Sequence, residues 1–144
     1  MPTSAAAFFN QFGEDLAEAV HDLDATGHQL EIYLSNATPS ASLDAVKADL
    51  AEIATGNGYT GPVDVQNAIS RSTNVTSITS VASIVFTASG GAIAQFRYVV
   101  LMNTTPTSPL DPLILWWDYG SALDVQDGET FTVTFGASLF TITA

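Results

Sequence analysis

The chain has 144 residues and a mass of 15.1 kDa, with 47% hydrophobic and only 12% charged residues; that is enough for one domain with a real core and too apolar for a disordered tail. Fifteen Asp and Glu against three Lys and Arg give a formal charge of −12, which disfavours direct nucleic-acid binding and attraction to an anionic membrane surface. Cysteine is absent, which removes disulfides, thiolate metal sites and Cys nucleophiles together. Residues 1–5 lack a basic leader region and no apolar run approaches about 18 residues, so neither a secretory signal nor a membrane span is expected.

Ten of the fifteen acids fall between Glu14 and Asp64, and none lies between Val65 and Leu110. This shift divides residues 1–144, read as a single domain, into a mixed helix and strand part over 1–61 and a β part over 62–144. Ser4 is placed to cap an amphipathic helix in which Phe8, Phe9, Phe12, Leu16 and Val20 recur mostly at spacings of three and four, running to about His21. An acidic turn over 22–27 follows. Leu30, Ile32 and Leu34 then alternate with polar or amphipathic residues, predicting a strand over 28–34. A second, short helix is expected over 42–53, with Leu43, Val46, Leu50 and Ile53 on one side, ending at Gly56-Asn57-Gly58. From Tyr59 onward the period is two. Strands are expected over 63–69, 81–88, 92–102, 113–119, 131–135 and 139–143, with Gly90-Gly91 closing a hairpin between the second and third of these. In the third, Phe96, Tyr98, Val100 and Met102 share a face. Short strands joined by Gly, Pro and Asp turns, without helices between them, imply an α+β fold that is mainly an antiparallel, jelly-roll-like β-sandwich.

No motif for a nucleophile, a phosphate loop or a zinc protease is present. Glu18 and His21 share a helix face, as di-metal bundles require, yet no second such pair exists, and the segment reads as a solvated helix end. Asp22, Asp24, Thr26 and Gly27 resemble the opening half of a calcium loop, but position twelve is Tyr33 where a bidentate Glu is needed; an acidic turn is the expected outcome. No catalytic, cofactor-binding or metal-binding residue is assigned, no cofactor is implied and no enzymatic activity is expected.

The candidate contacts are therefore aromatic and basic. Trp116 and Trp117 are adjacent, so on a strand they point to opposite faces, and an indole left on the outer face suits a subunit contact. Phe8, Phe9 and Phe12 form a stripe that needs a partner surface. Arg97 stands between Phe96 and Tyr98 and needs solvent or a carboxylate, within or between subunits. Lys47 is expected to pair with Asp44, and Arg71, in a turn-like Ser-Arg-Ser, to be exposed. Sequons at Asn36, Asn74 and Asn103 carry no weight without a secretory signal.

The order of these parts is informative. A leading helix with paired Phe, a His-Asp-Leu-Asp turn, the strand Gln29-Leu30-Glu31-Ile32-Tyr33-Leu34, the turn Gly56-Asn57-Gly58-Tyr59-Thr60, and the late run Pro112-Leu113-Ile114-Leu115-Trp116-Trp117-Asp118-Tyr119-Gly120-Ser121 together resemble a family of small virion proteins of tailed bacteriophages. In that family an FxxF helix, a strand after DL, a GTGYT turn and a PLIxxxDFGS strand recur. The likeness covers most of the chain outside residues 71–83. It implies a structural role: a capsid decoration or cement protein, a homo-oligomer and often a trimer, seated on the capsid exterior against the major capsid protein and made in the host bacterial cytoplasm. A head-fibre or tail component that binds a host surface glycan is the alternative. An acidic body fits the outside of a shell better than the DNA-facing side.

Overall fold

In chain order, the computed structural model, which describes residues 4–81 and 83–144, forms β1 (Ala7–Phe8), α1 (Gln11–Ala17), β2 (Leu30–Ser35), a single 3-10 turn (Lys47–Asp49), β3 (Val63–Asp64), β4 (Ala68–Ser72), β5 (Val75–Thr79), β6 (Ser83–Thr87), β7 (Ile93–Asn103), β8 (Leu113–Val125), β9 (Thr130–Thr134) and β10 (Phe140–Thr143). The strands build three antiparallel sheets, ordered β1-β8-β7-β2-β3, β10-β5-β4 and β6-β9. The fold is α+β with one short helix. Of the expected mainly antiparallel, jelly-roll-like β-sandwich, the antiparallel strands are present, but they split into sheets of five, three and two, and none closes into a sandwich or barrel.

Strand β7 is the centre of the five-stranded sheet and is buried on both faces along Tyr98–Asn103, which is why its sequence is almost continuously apolar rather than alternating. On one face Leu30, Ile32, Leu34, Val99 and Leu101 join the main core, where residues of the other two sheets, such as Ile78, Phe86, Phe131 and Phe140, pack against them. On the other face Tyr33, Val100, Met102 and Leu113 form a smaller core closed by Phe9 and Leu50. Each fully buried aliphatic side chain contributes roughly 1.5–3 kcal/mol, so this doubly covered strand is the main apolar anchor of the fold.

Phe96 does not share the face of Tyr98, Val100 and Met102. Phe96 pairs with Leu123 while Tyr98 pairs with Asp118, so Arg97 alone stands opposite the bulge at 119–122. The face changes across that irregularity, and Phe96 enters the main core, against Phe131 at 4.9 Å between ring centres. A bulge inserts residues into one strand and re-aims the side chains beyond it; Gly120, at φ 102, bends the chain there.

Both expected helices are shorter than their apolar periodicity predicts. Ala7 and Phe8 pair with Trp116 and Leu115 as β1, Phe9 N–H continues to the Ile114 carbonyl and Asn10 N–H to that of Ala41. With those donors committed to the sheet, α1 starts at Gln11, without a side-chain cap from Asn10 and well past Ser4, and the chain leaves it at Ala19, φ 61. Residues 42–53 form only the 3-10 turn. Val46 is bridged to Pro112, the Asp49 carboxylate accepts from the N–H groups of Ala45 and Val46, and Leu43, assigned to an apolar face, is 80% exposed. Asp side chains that bond nearby backbone offer it this alternative to a helix.

Two further expectations change. The strand over 63–69 breaks at Gln66, φ 52, into β3 and the start of β4. Gly90-Gly91 turns the chain but closes no hairpin, because β6 pairs with β9 and β7 with β2 and β8. Arg71 lies within β4, and the turn is at Thr73, φ 55, before β5. Of the strand expected over 81–88, Ala82 lies outside the described residues.

Candidate functional site

The most organised polar group in the molecule is buried where the loop after α1 crosses the end of β7. Asn103, fully buried, places its amide nitrogen 3.0 Å from Nδ1 of His21 and 3.0 Å from Nδ1 of His28, while its Oδ1 accepts from Thr105 N–H. The Thr105 bond fixes which end of the amide is nitrogen, so both imidazoles accept at Nδ1 and carry their proton on Nε2. His28 Nδ1 also accepts from Asp22 N–H at 3.3 Å. Nε2 of His21 faces Oδ2 of Asp15 at 4.0 Å, too far for a hydrogen bond, and both atoms are buried without a partner. Burial lowers the His21 pKa to about 4, against the opposing pull of Asp15 and with a smaller push from His28.

The Nδ1 lone pairs that a metal would need already accept from the Asn103 amide. Among the described residues no group of three or more His, Asp or Glu is placed to hold a metal. The calcium-loop likeness at Asp22 and Asp24 resolves the same way. Asp22 Oδ1 accepts from Asp24 N–H; Asp24 Oδ2 accepts the Thr26 hydroxyl at 2.8 Å, and that bond, followed by the backbone N–H groups of Ala25 and Thr26, holds the Asp24 carboxyl below its usual range. The carboxylates cap their own turn.

Asn67 does for the other side of this loop what Asn103 does for the histidines. Its Oδ1 accepts from Leu30 N–H and its amide donates to the carbonyls of Leu23 and His28, each at 3.0 Å. Neither Asn stands out in the sequence. Asn103 reads there as a sequon and the start of a loop; burial with both amide hydrogens engaged leaves it no room to be a glycan acceptor in the folded chain. A polar residue closing a long apolar strand is the one available signal.

The aromatic candidates are brought together in two groups, one on each side of the five-stranded sheet. Phe8 stacks on Phe12 at 5.5 Å and meets Phe140 edge-on at 5.5 Å; Phe12 is buried and Phe8 is 40% exposed. Phe9 packs on Trp116 at 4.6 Å on the smaller core. Trp117 points the other way, to Phe135 at 5.7 Å against the main core. The indoles do occupy opposite faces, and both are half-buried.

Arg97 finds its carboxylate within the chain. Nε lies 2.8 Å from Oδ1 of Asp118 and an Nη 3.0 Å from Oδ2, the two-point geometry for which a guanidinium is shaped. Hydrogen bonding to Arg97, and then Gly120 N–H at 2.7 Å, keep the Asp118 carboxyl below its usual range. Lys47 pairs not with Asp44 but with Glu52, at 2.7 Å, because Asp44 caps Ser40 N–H instead. Glu52 also accepts the Tyr59 hydroxyl at 2.6 Å, and that hydroxyl accepts from Leu34 N–H. Arg71 donates only to the Thr73 carbonyl, and among the described residues it is the one Lys or Arg without a carboxylate within 4.0 Å.

Two of the open surfaces among the described residues bear on recognition. The sheet β10-β5-β4 bears no Asp or Glu side chain and shows Ile69 and Ile142 at 43% and 37% exposure. A groove of about 610 Å³ lies between the end of β8 and β9, lined in part by Tyr119, Leu123, Asp124, Glu129, Thr130 and Thr132. Among the described residues no helix is long and apolar enough to cross a membrane. Comparison with protein-family models, curated protein sequences and solved structures returned no match.

Proposed function

We propose that the chain is a structural subunit of a virion: a decoration or cement protein that clamps the exterior of a tailed-phage head by repeated, non-covalent contacts with the major capsid protein and with copies of itself. The observation that carries this reading is the division of the surface by charge. All fifteen carboxylate side chains lie outside residues 65–110 and 130–144, which hold β6, β7 and β9 as well as β4, β5 and β10, and the three-stranded sheet offers Ser, Thr, two exposed Ile and, among the described residues, one Arg without a carboxylate. An acidic body keeps the chain soluble and faces solvent, while a neutral sheet adheres; many modest contacts repeated over a shell then add through multivalency. The motifs behind the phage resemblance serve as braces, which fits a building block: Tyr59 of the Gly-Asn-Gly-Tyr-Thr turn ties Glu52 to β2, and Asp118 of the Trp-Asp-Tyr-Gly-Ser run holds Arg97 and the bulge.

The test is to incubate the purified chain with expanded phage heads lacking it and to map the added density. Density repeated on the outer surface between capsomers is expected. Particles that sediment without the chain, or density confined to the tail, overturn the assignment.

The groove beside β9 favours a second reading, a fibre or tail component that binds a host glycan. Tyr119, held edge-on to Phe131 at 5.9 Å, with Thr hydroxyls and carboxylates around it, has the aromatic face and acceptors that a neutral sugar uses. Chemical-shift changes at Tyr119 on titration with neutral oligosaccharides, abolished in Tyr119→Ala, would favour this reading over the first.

A further inference from the structure

Strand β4 is one edge of the three-stranded sheet; the other, β10, is four residues long and carries no cation. Strand β4 pairs with β5 without a register shift from Ala68 to Ser72, and Ile69 to Ser72 are all exposed. Natural edges are blunted by shortness, Pro, Lys, bulges or a covering segment. The five-stranded sheet follows that rule, since its edges β1 and β3 are two residues long and β3 ends in Asp64. Strand β4 has five residues, no Pro, no Lys and no bulge.

We propose that a second copy of the chain pairs with β4, antiparallel and about a two-fold axis at Ser70, joining two three-stranded sheets into one of six strands. This rests on the reading of the chain as a self-associating building block and adds the surface and the symmetry. Charge restricts where two copies can meet. Two copies at −12 repel, and they approach without opposing carboxylates only where acids are missing; between Val65 and Leu110, and after Glu129, there is none.

The side chains are self-complementary. Residues directly across a ladder share a face, so Ile69, opposite Ile78, and Arg71, opposite Thr76, lie on the face where Ile78 and Phe140 enter the core. Pairing about Ser70 sets Ile69 of each copy against Arg71 of the other. The aliphatic stem of the arginine covers the isoleucine, and the two guanidinium groups stand apart. The opposite face meets as Ala68, Ser70 and Ser72, small enough for the backbones to approach.

Sedimentation equilibrium of the full chain should give a mass of about twice 15.1 kDa at high concentration, falling towards monomer on dilution. Ile69→Lys places a lysine opposite Arg71 and should raise the dimer dissociation constant about tenfold, since like charges directly across a ladder repel. It also reduces each copy's net negative charge, so if overall repulsion alone governed association the dimer would tighten. Adding Arg71→Glu to the same chain sets the introduced lysine of each copy against the introduced glutamate of the other and should restore the wild-type constant to within about threefold. Both positions are exposed, and unchanged circular dichroism and melting show that the variants fold. A chain monomeric at every concentration, a dimer indifferent to Ile69→Lys, or a double variant as weak as the single one overturns the proposal. A trimer overturns the two-fold pairing while leaving the structural-subunit reading standing, and head binding by a strictly monomeric chain separates the two in the same way.

Discussion

The Asn103 amide lies 3.0 Å from Nδ1 of His21, and that contact settles where the imidazole can hold a proton. Protonated His21 would aim an N–H at an N–H, and Asn103 cannot turn over without losing Thr105 and His28. The folded chain therefore keeps His21 neutral down to about pH 4, whereas the unfolded chain protonates it near 6.5. Between these values the unfolded state binds more protons, so the stabilising contribution is complete above about pH 6.5 and is lost as pH falls towards 4. The full loss is about 3 kcal/mol. Urea-unfolding free energies measured from about pH 7.5 to 4.5 should show a slope in this window that His21→Gln reduces; equal slopes in the two proteins would remove His21 from the account.

Asn67→Ala should cost about 2–4 kcal/mol. The side chain is 6% exposed and bonds Leu30 N–H and the carbonyls of Leu23 and His28. Truncation strands buried donors and acceptors, each at roughly 1–3 kcal/mol. Asn67→Asp keeps the acceptor for Leu30 and loses both donations, so its denaturation midpoint should fall at least partway towards that of the alanine variant. Wild-type midpoints for both variants would show that water replaces the amide without loss.

Strand content is legible in the sequence because local pattern and final environment agree there: Leu30, Ile32 and Leu34 alternate along the chain and line the main core. The carboxylate that Arg97 requires is legible as a need, though Asp118 cannot be named from spacing, since it lies on the neighbouring strand opposite Tyr98, twenty-one residues on from Arg97. The helices are misread where distant chain takes their backbone donors. Phe8 and Phe9 read as a helix stripe until β8 claims residues 7–9, and Val46 reads as a helix face until Pro112 bridges to it. The division into three sheets depends on β6 finding β9 rather than its neighbour β7, a non-local choice with no signature in either strand. The polar cluster is invisible because Asn103, His21 and His28 are ordinary when apart and meet only on folding.

Adjacent residues in the N-terminal segment should respond very differently to truncation. Phe9 is 1% exposed and closes the smaller core against Trp116, whereas Phe8 is 40% exposed. Phe9→Ala should cost about 3–5 kcal/mol, in the range for buried aromatics, and Phe8→Ala clearly less, on the order of 1–2 kcal/mol, because much of its ring already meets water. Chemical denaturation of the two variants decides it. Comparable losses would mean that Phe8 is covered in solution, as it would be if the segment packed between subunits.

Two glycines predict opposite signs. Gly58 has φ +98, and a Cβ there would collide with the Thr87 carbonyl oxygen. The turn cannot simply move away, because Gly56 and Tyr59 exchange backbone bonds at 2.8 and 3.0 Å, Ser89 N–H bonds the Asn57 carbonyl, and Tyr59 is 1% exposed. Gly58→Ala therefore combines a strained backbone with a steric clash and should cost more than about 2 kcal/mol. Gly13 lies inside α1 with nothing within 4 Å of an added Cβ. Gly13→Ala should stabilise by about 0.5–1 kcal/mol, because alanine loses less backbone freedom in a helix. Thermal melting of both variants tests the pair. A Gly13→Ala protein that melts below wild type would show that the start of α1 needs the freedom of glycine, and a Gly58→Ala protein that melts with wild type would show that the turn is not pinned to β6.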